Sequence, residues 1–567
     1  MTFTLYLTGL RPPLVAAGDN MRIPFFGWFL RGCGAFYIRR RVEGSEYHSD
    51  NTYKSALRAY ILNSLAAGNN LEFFIEGGRT RTGKPQTPKA GILSVIMDAY
   101  LDGTIDDALL VPATLNYDKL VDGNFVREQL GMPKQMETFW SALRGIWRTL
   151  NTNHGSIRVD FNQPISLKEL VTSFQKYQHY KAPIETSLTP PNNNLAVNLD
   201  RQILYNHSHS SLYGADVSTD HKMMVEAIGR HLVYDAAQAT ALMCTNVVSY
   251  VLLTEARRGA SLAQLTARVA ARQAALAADG RDLGYTGEAK QAVQHALGML
   301  GRVVRRGPAG VSGVSSVAAS LELSYYANAV VAHYAAPAIL ATALESLVTG
   351  DPSQEISQSE LLETSLQLCE VLSHEFIVCA PCQRIQDRML DAIDSLSAQQ
   401  VILRKKTSSG LEEEAWSRRA ARRLEGDDDA HEAKVTYTLS REPHAIAERR
   451  RLVLSVRPLL EAYAATCRRL RAGPANAVVK DTLDALTDDY TQNKMLYGEA
   501  VSTDAIRNCL RLLRQWGVLE FQSAGRTRVL RLSPAYDSPA ALQLVCHNVY
   551  KFNMDTPLLR DPPASEQ

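Results

Sequence analysis

Cysteine is scarce in this chain, with 8 residues among 567, and this scarcity excludes a disulfide-rich secreted scaffold. Net charge is also small, because 61 Lys and Arg residues against 59 Asp and Glu residues leave +2 at pH 7. Such a balance argues against nucleic-acid binding through bulk positive charge. Apolar residues make up 46% of the chain, which is enough to bury a core and excludes global disorder.

The start of the chain lacks the pattern of a secretory signal, since no basic residue precedes Arg11 and no cleavage-site pattern follows it. Together with the scarce cysteine, this favours a reducing compartment. Residues 1–10 have the apolar character of the middle of a buried helix, and they run without an N-cap into Pro12 and Pro13. We therefore expect that an upstream piece of the domain is missing. The alternative is a frayed helix on the surface.

Short apolar runs alternate with helical patterns over the first third of the chain. Strands are predicted at 14–17, 35–38, 71–75, 109–116 and 156–161, and helices at 25–30, 49–67, 90–101 and 136–150. This alternation predicts an α/β domain with a mixed, largely parallel sheet and flanking helices.

The rest of the chain has a mostly α-helical pattern that is interrupted by linkers. We expect an α/β domain at 1–184, a Pro- and Asn-rich linker at 185–219, a helical domain at 220–403, a charged linker at 404–442 and a C-terminal helical domain at 443–567. A helix and a short strand near the end are compatible with a winged helix that reads DNA. Packing between domains is the favoured interpretation.

Two uncharged stretches, 236–254 and 323–344, are long enough to span a bilayer. Each contains polar residues, among them Asn246 in the first and Asn328 in the second. We favour buried helices of a globular core, with spanning helices as the alternative. A protein that binds one leaflet would explain both observations.

The most informative motif is FIEGGRTRTGK at 74–84, in which a buried strand leads into glycines and cations. Gly77 lets the backbone turn tightly, and Arg79, Arg81 and Lys84 supply positive charge for a phosphate. Glu76 is expected to pair with one of the arginines. The loop therefore predicts an anion site, and the alternative is a solvated surface hairpin.

The same loop has part of the spacing of a nucleotide-binding P-loop, because Gly78 and Gly83 precede Lys84 at the required distances. That motif continues with Ser or Thr, which holds magnesium, but here Pro85 follows. A kinase or NTPase is therefore excluded as an interpretation.

Two further segments are expected to complete the site. The strand at 35–38 ends in Arg39, Arg40 and Arg41, which would converge with the loop if the two strands are neighbours in a parallel sheet. A cluster of solvated surface arginines is the alternative. In the strand at 109–116, Pro112 removes a backbone donor and indicates a strand end or an edge.

These segments resemble conserved blocks of the glycerolipid acyltransferases, namely FIEGGRTRTGK, GAFYIRR and LVPATLNYDKL. The later segments YDAAQATALMCTNVVSYVLLTEARRG, DLGYTGEAKQAVQHALGMLG and CAPCQRIQD are similar to the helical region of the mitochondrial-type glycerol-3-phosphate acyltransferases. The resemblance covers roughly residues 1–555.

The resemblance implies transfer of a fatty acyl group from long-chain acyl-CoA to glycerol 3-phosphate, with acyl-CoA as a substrate and no cofactor or metal. It implies that Arg39, Arg79, Arg81 and Lys84 contact the phosphate, while Glu76, Gly77 and Pro112 shape the site. It also implies contact with membrane lipid, at the cytosolic face of the mitochondrial outer membrane or the endoplasmic reticulum, and no nucleic-acid partner.

The sequence departs from the family at the catalytic base, which the family takes from a His-x4-Asp motif. None of the 13 His residues has an Asp five positions later, and His221 with Glu226 comes nearest. We therefore expect no catalytic residue of this type and little acyl transfer. The alternatives are a non-catalytic binder of phosphate and acyl-CoA, or a dihydroxyacetone-phosphate acyltransferase.

Cys379 and Cys382 have the Cys-x2-Cys spacing of a redox or zinc motif. No second pair of ligands lies nearby in the sequence, and two incidental cysteines in a turn are the favoured interpretation. His374, beside Glu375, is expected to satisfy a hydrogen bond at a helix end.

Overall fold

The computed structural model describes residues 1–21, 26–39, 51–120, 124–132, 145, 147, 149–181, 219–307, 310–348, 353–405, 435–470, 473–524 and 527–553. The predicted helix at 136–150, most of both predicted linkers, and Arg40 and Arg41 lie outside these ranges.

A parallel three-stranded sheet organises the N-terminal part. Its strands are β1 (Leu14–Gly18), β2 (Ala35–Ile38) and β3 (Leu71–Glu72), in the order β2-β1-β3. In register, Ala16 pairs with Phe36, and Val15 pairs with Glu72. The expected parallel arrangement is confirmed, although the predicted strand at 71–75 ends after two residues, where the chain turns into the loop.

Two antiparallel pairs extend this part into a mixed architecture. β4 (Leu109–Leu110) pairs with β7 (Ile165–Ser166), and β5 (Ala113–Tyr117) pairs with β6 (Ile157–Phe161). Pro112 separates β4 from β5, and its carbonyl accepts the backbone N–H of Asn162 at 2.8 Å. Since proline has no N–H to give to a ladder, the strand is interrupted at this position.

Among the described residues, these helices accompany the strands: α1 (Thr2–Leu7), α2 (Phe26–Gly32), α3 (Asn51–Ala66), α4 (Ala90–Leu101), α5 (Asn124–Gln129) and α6 (Leu167–Lys181). Leu57 and Ile61 lie one turn apart on α3 and pack with Val95 of α4. The expectation of a buried N-terminal helix is wrong, because no residue of α1 is buried and Phe3, Tyr6 and Leu7 are exposed, Phe3 at 71%.

The second part is mostly helical. Its helices are α7 (Thr219–Ala239), α8 (Cys244–Thr254), α9 (Leu262–Ala278), α10 (Ala289–Leu300), α11 (Val317–His333), α12 (Ala335–Leu347), α13 (Gln358–Val371), α14 (Ile385–Ala398), α15 (Pro443–Arg468), α16 (Ala475–Thr491), α17 (Thr503–Gln515) and α18 (Pro539–Tyr550). Short strands connect them: β8 (Val304–Gly307), β9 (Gly310–Gly313), β10 (Ile356–Ser357), β11 (Ile402–Lys405), β12 (Thr436–Leu439), β13 (Gly473–Pro474), β14 (Leu519–Ala524) and β15 (Thr527–Leu532).

One cluster of buried side chains runs through the helical part, from Leu242 to Phe552, so both predicted helical units contribute to the same core. Helix α7 instead adds Met224, Ile228 and Leu232 to the core around Leu93 of α4. The first helix of the second part therefore fastens it to the α/β part.

The two uncharged stretches lie mostly in this buried core. The first is split between α7 and α8, and the second bends by 86° between α11 and α12, at the buried Tyr334. Within the described residues, no single helix has the length and apolarity to cross a membrane, and the bent α11–α12 pair meets those criteria only when its two helices are taken together. In the first stretch, the buried Asn246 amide has a partner inside the protein, since it donates to the carbonyl of Tyr326 at 2.9 Å.

The C-terminal elements have the order of a winged helix, with α15, β13, α16, α17 and the β14–β15 hairpin in sequence and a sheet order of β13-β15-β14. Helix α17 packs at its first turn on the α/β part, where the Thr503 hydroxyl donates to the carbonyl of Glu128 at 3.3 Å. This contact fits the interpretation of α17 as a packing element.

Candidate active site

The sheet order places the two basic segments at one edge. Arg39 directly follows β2, and the loop at 73–89 follows β3, while β1 lies between them. Because the carboxyl ends of parallel strands meet at the same edge, both segments face the region where α/β proteins bind ligands. The backbone N–H of Arg39 donates to the Tyr53 hydroxyl at 3.0 Å, and its guanidinium lies 4.8 Å from the centre of the Tyr53 ring.

The backbone of the loop needs glycine at its first turn. Gly77 has φ +68°, and its N–H donates to the carbonyl of Phe74 at 2.8 Å. A Cβ at this position would lie 2.6 Å from Cγ of Lys89, whose own N–H donates to the carbonyl of Ile75 at 2.7 Å. A side chain here would therefore open the base of the loop.

Glu76 holds the two ends of the loop together. Its Oε1 accepts the backbone N–H of Gln86 at 2.8 Å. Burial raises the pKa of the Glu76 carboxyl to about 7, and the Gln86 hydrogen bond opposes this rise. The structure thus gives this carboxylate a backbone partner ten residues later in the chain, and its pairing with an arginine stays a prediction.

Glu76→Gln should flatten the dependence of stability on pH. The folded-state pKa of about 7 lies above the ordinary 4.5, so the native state keeps a proton that the unfolded state releases. Stability from this group therefore falls as the pH rises from about 4.5 to about 7, by on the order of 2–3 kcal/mol. Urea denaturation at several pH values should show that the variant loses this decline.

The exposed Glu363→Gln variant serves as the control for that experiment and should keep the decline of the parent protein. An unchanged pH dependence in Glu76→Gln would contradict the assignment of a proton to Glu76.

The four predicted cations differ in how far their side chains are exposed to solvent. Arg39 and Arg79 are exposed at the sheet edge and in the loop, whereas Lys84 is buried with 6% of its surface exposed. Arg81 is half-buried, with Nε 3.1 Å from Glu128 Oε2 and Nη1 3.4 Å from Asp504 Oδ1. Arg39 and Arg79 are therefore the most exposed members of the set.

Lys84 forms a buried ion pair with Glu375, which follows α13. Glu375 also accepts hydrogen bonds from the Tyr463 hydroxyl at 3.1 Å and the Asn508 amide at 2.9 Å. Burial opposes the ionisation of Glu375, but Lys84 and these donors hold its pKa below the usual value. Phe376 covers the ammonium group, with its ring centre 5.3 Å away.

Helix α11 supplies contacts to the loop that the sequence reasoning missed. The amide of Asn328 donates to the carbonyl of Thr82 at 2.7 Å. Gly83, with φ +74°, packs directly on the backbone carbonyl of Tyr325. The signal for this contact was present in the sequence, because Asn328 is a polar residue within the uncharged stretch at 323–344.

Several other candidate groups have structural partners. His221 Nε2 lies 3.2 Å from Asp98 Oδ1, and His374 is buried, which lowers its pKa to about 4.

Among the described residues, one group has the composition of a metal site: Asp118, Cys244 and His295. Its His and Asp are hydrogen-bonded at 3.0 Å, and burial raises the pKa of the Cys244 thiol to about 11.

Comparison with known proteins agrees with this geometry. The family model described as "Acyltransferase" matches residues 1–116, which include Arg39 and the whole loop. The model described as "Glycerol-3-phosphate acyltransferase C-terminal region" matches residues 125–522, more than half of the chain. The chain belongs to the glycerol-3-phosphate acyltransferase family. Its sequence-based assignment to this family, to an α/β domain with a helical region, and to the enzymes is confirmed.

Some relatives match nearly the whole chain, and others match part of it. Mitochondrial glycerol-3-phosphate acyltransferase 1 of Rattus norvegicus is 27% identical over 97% of this chain and 71% of its own length. The Homo sapiens protein of the same name is 28% identical over 94% of this chain and 69% of its own length. A glycerol-3-phosphate acyltransferase of Xanthomonas axonopodis is 36% identical over 30% of this chain and 19% of its own length.

Proposed function

We propose that this protein transfers a fatty acyl group from acyl-CoA to the first hydroxyl of glycerol 3-phosphate, giving lysophosphatidic acid. The observation that carries the proposal is the placement of the exposed Arg39 and Arg79 after the two strands that flank β1. Guanidinium groups form forked hydrogen bonds with phosphate oxygens, so two of them at one sheet edge suit a small organophosphate. The names of the relatives support this choice of substrate.

In this reaction the hydroxyl oxygen bonds to the thioester carbonyl carbon, the carbon–sulfur bond breaks, and CoA leaves as a thiol. A base must take the hydroxyl proton, and such a base contributes about 10²–10⁴-fold to the rate. The printed 567 residues contain no His-x4-Asp motif. We propose that this chain by itself binds both substrates and transfers acyl groups slowly.

Turnover of the purified 567-residue chain on glycerol 3-phosphate and palmitoyl-CoA tests this point. Slow turnover that rises when free imidazole is added would support a missing base. Fast turnover without imidazole would overturn the proposed impairment, while the assignment of substrates would stand.

The missing base favours one alternative, a non-catalytic binder of phosphate and acyl-CoA. Binding of both ligands with no turnover, even with added imidazole, would favour this binder. A dihydroxyacetone-phosphate acyltransferase is distinguished by exchanging the acceptor, because it would bind dihydroxyacetone phosphate more tightly than glycerol 3-phosphate.

Arg79→Ala should weaken glycerol 3-phosphate binding by about 10–100-fold, since a charge-assisted hydrogen bond contributes about 1.5–3 kcal/mol. Acyl-CoA binding should stay within about twofold of the parent protein, because its long apolar chain contributes contacts of its own. Calorimetric titration of the full chain with each ligand gives both numbers.

The exposed Arg305→Ala variant, in β8, is the matched control and should leave both affinities unchanged. Equal loss of both ligands in Arg79→Ala would contradict the assignment. Arg81→Ala is a less specific variant, because it also removes the ion pairs with Glu128 and Asp504.

We also propose association with a mitochondrial membrane from the cytosolic side, with the endoplasmic reticulum as the alternative. The names of the relatives support a mitochondrial location. Large apolar side chains in the N-terminal part face solvent, including Phe3 and Trp28, the latter 81% exposed. Such side chains suit contact with lipid, into which the acyl-CoA and the product both partition.

A further inference from the structure

A cysteine, a histidine and an aspartate are joined by consecutive hydrogen bonds outside the candidate active site. Cys382 Sγ is 3.5 Å from His231 Nε2, and His231 Nδ1 is 2.8 Å from Asp235 Oδ2. His231 and Asp235 are one turn apart on α7, and Cys382 is in the turn before α14. The pattern brings together residues 151 positions apart in the chain.

This order of groups is the one that activates a thiol. Asp235 accepts a hydrogen bond from the Nδ1–H group of the imidazole. Nε2 is then the unprotonated nitrogen, and it can take the proton of the Cys382 thiol. The resulting thiolate is paired with an imidazolium ion, and it is a stronger nucleophile than the thiol. Cys382 is also exposed, so a reagent can reach its sulfur.

We propose that Cys382 is a nucleophile that accepts an acyl group from an acyl thioester and becomes S-acylated. The thiolate attacks the thioester carbonyl carbon, a new carbon–sulfur bond forms, and the bond to the leaving thiol breaks. The leaving thiolate takes the proton from the His231 imidazolium, so the exchange is balanced and needs no oxidant. The choice of acyl-CoA as donor depends on the function proposed above, whereas the nucleophile depends on the geometry alone.

The charges around the sulfur agree with this role. The hydrogen bond from His231 lowers the pKa of the Cys382 thiol, with burial and the charge of Asp235 opposing it. The hydrogen bonds to Asp235 and Cys382 raise the pKa of His231 to about 10. Both shifts favour the thiolate–imidazolium pair over the neutral thiol and imidazole.

Three further titratable or charged groups face this cluster. Tyr234 lies beside it on α7, Arg388 lies on α14, and Cys379 precedes it in the same turn. Burial raises the pKa of the Tyr234 phenol, so this group stays neutral where the thiolate forms. Arg388 carries a positive charge near the Tyr234 phenol.

Alkylation by iodoacetamide tests the nucleophile without any acyl donor. Cys33 is also exposed and serves as the internal reference, because both sites are present in one sample and are separated by peptide mass analysis. At neutral pH, Cys382 should react at least tenfold faster than Cys33. His231→Ala and Asp235→Asn should reduce the rate at Cys382 and leave the rate at Cys33 unchanged.

Incubation of the full chain with two thioesters tests the acyl transfer. Palmitoyl-CoA uses the proposed substrate, and the octanoyl thioester of N-acetylcysteamine needs no CoA site. Each should add one acyl group that hydroxylamine removes and that is absent from Cys382→Ser.

The outcomes separate the two proposals. Transfer from the small thioester but not from palmitoyl-CoA would contradict acyl-CoA as the donor to Cys382, while turnover on glycerol 3-phosphate tests the proposed function separately. No transfer from either thioester, or alkylation of Cys382 no faster than that of Cys33, would overturn the nucleophile.

Discussion

Lys84→Ala should lower the free energy of unfolding by about 3–5 kcal/mol, the usual cost of breaking a buried ion pair by removing one partner. The variant leaves the Glu375 carboxylate buried without its cation, with Tyr463 and Asn508 as the remaining donors. Because Lys84 lowers the pKa of Glu375, the carboxylate is charged at neutral pH, and the full decrease in the free energy of unfolding should be seen there. It should shrink as the pH falls below the ordinary carboxyl value of 4.5 towards the folded-state pKa. Urea denaturation at about pH 7 and about pH 4 measures both effects.

Lys405→Ala is the control for this variant, because Lys405 pairs with Glu355 at 2.9 Å on the exposed surface. Such an exposed pair is screened by solvent, so the control should change stability little. A double variant, Lys84→Met with Glu375→Leu, should regain much of the lost stability, since it leaves no charge without a partner. Equal losses in Lys84→Ala and Lys405→Ala would contradict the buried pair.

Gly83→Ala should destabilise the protein by about 3 kcal/mol and detach the loop from α11. A Cβ at this residue would overlap the carbonyl oxygen of Tyr325, and backbone atoms give way less easily than side chains. The φ of +74° adds strain for any residue with a side chain. Thermal denaturation gives the loss of stability, and glycerol 3-phosphate titration gives the effect on the loop.

Gly78→Ala provides a matched control five positions earlier in the same loop. No atom lies within 4 Å of the position where its Cβ would be. The control should therefore change the melting temperature by much less than Gly83→Ala. Equal shifts in the two variants would mean that the loop does not pack on α11 as described.

Local patterns explain why the elements of the N-terminal part could be predicted. Leu57 and Ile61 repeat at helical spacing, and the strand at 35–38 lies between turn-forming glycines and polar residues, so each signal lies within a few residues. Pro112 interrupts its strand because proline has no backbone N–H to donate to the neighbouring strand.

The pairing of the loop cations could not be predicted, because their partners are far away in the chain. Lys84 meets Glu375 over 291 positions, and Arg81 meets Asp504 over 423 positions. In the sequence, these two cations look the same as Arg79. Burial and partner choice depend on how α13 and α17 pack, and a single sequence contains no local signal for that.

The exposure of α1 was wrongly predicted for a related reason. Phe3 and Tyr6 have the composition of a core helix, but composition does not say which surface a helix meets. The contact of Cys382 with His231 and Asp235 could not be predicted either. The spacing of the two cysteines is a local pattern, whereas His231 lies 151 positions away, on α7.

The loop at 73–89 is held within itself, by the hydrogen bond from Lys89 to Ile75, and from the helical part, by Asn328 and Glu375. A ligand that enters it meets a surface already ordered by folding, so binding loses little conformational entropy. Preorganisation of this kind depends on both parts of the chain. An isolated N-terminal fragment should therefore have a far weaker affinity for organophosphate than the whole protein, even with every arginine present.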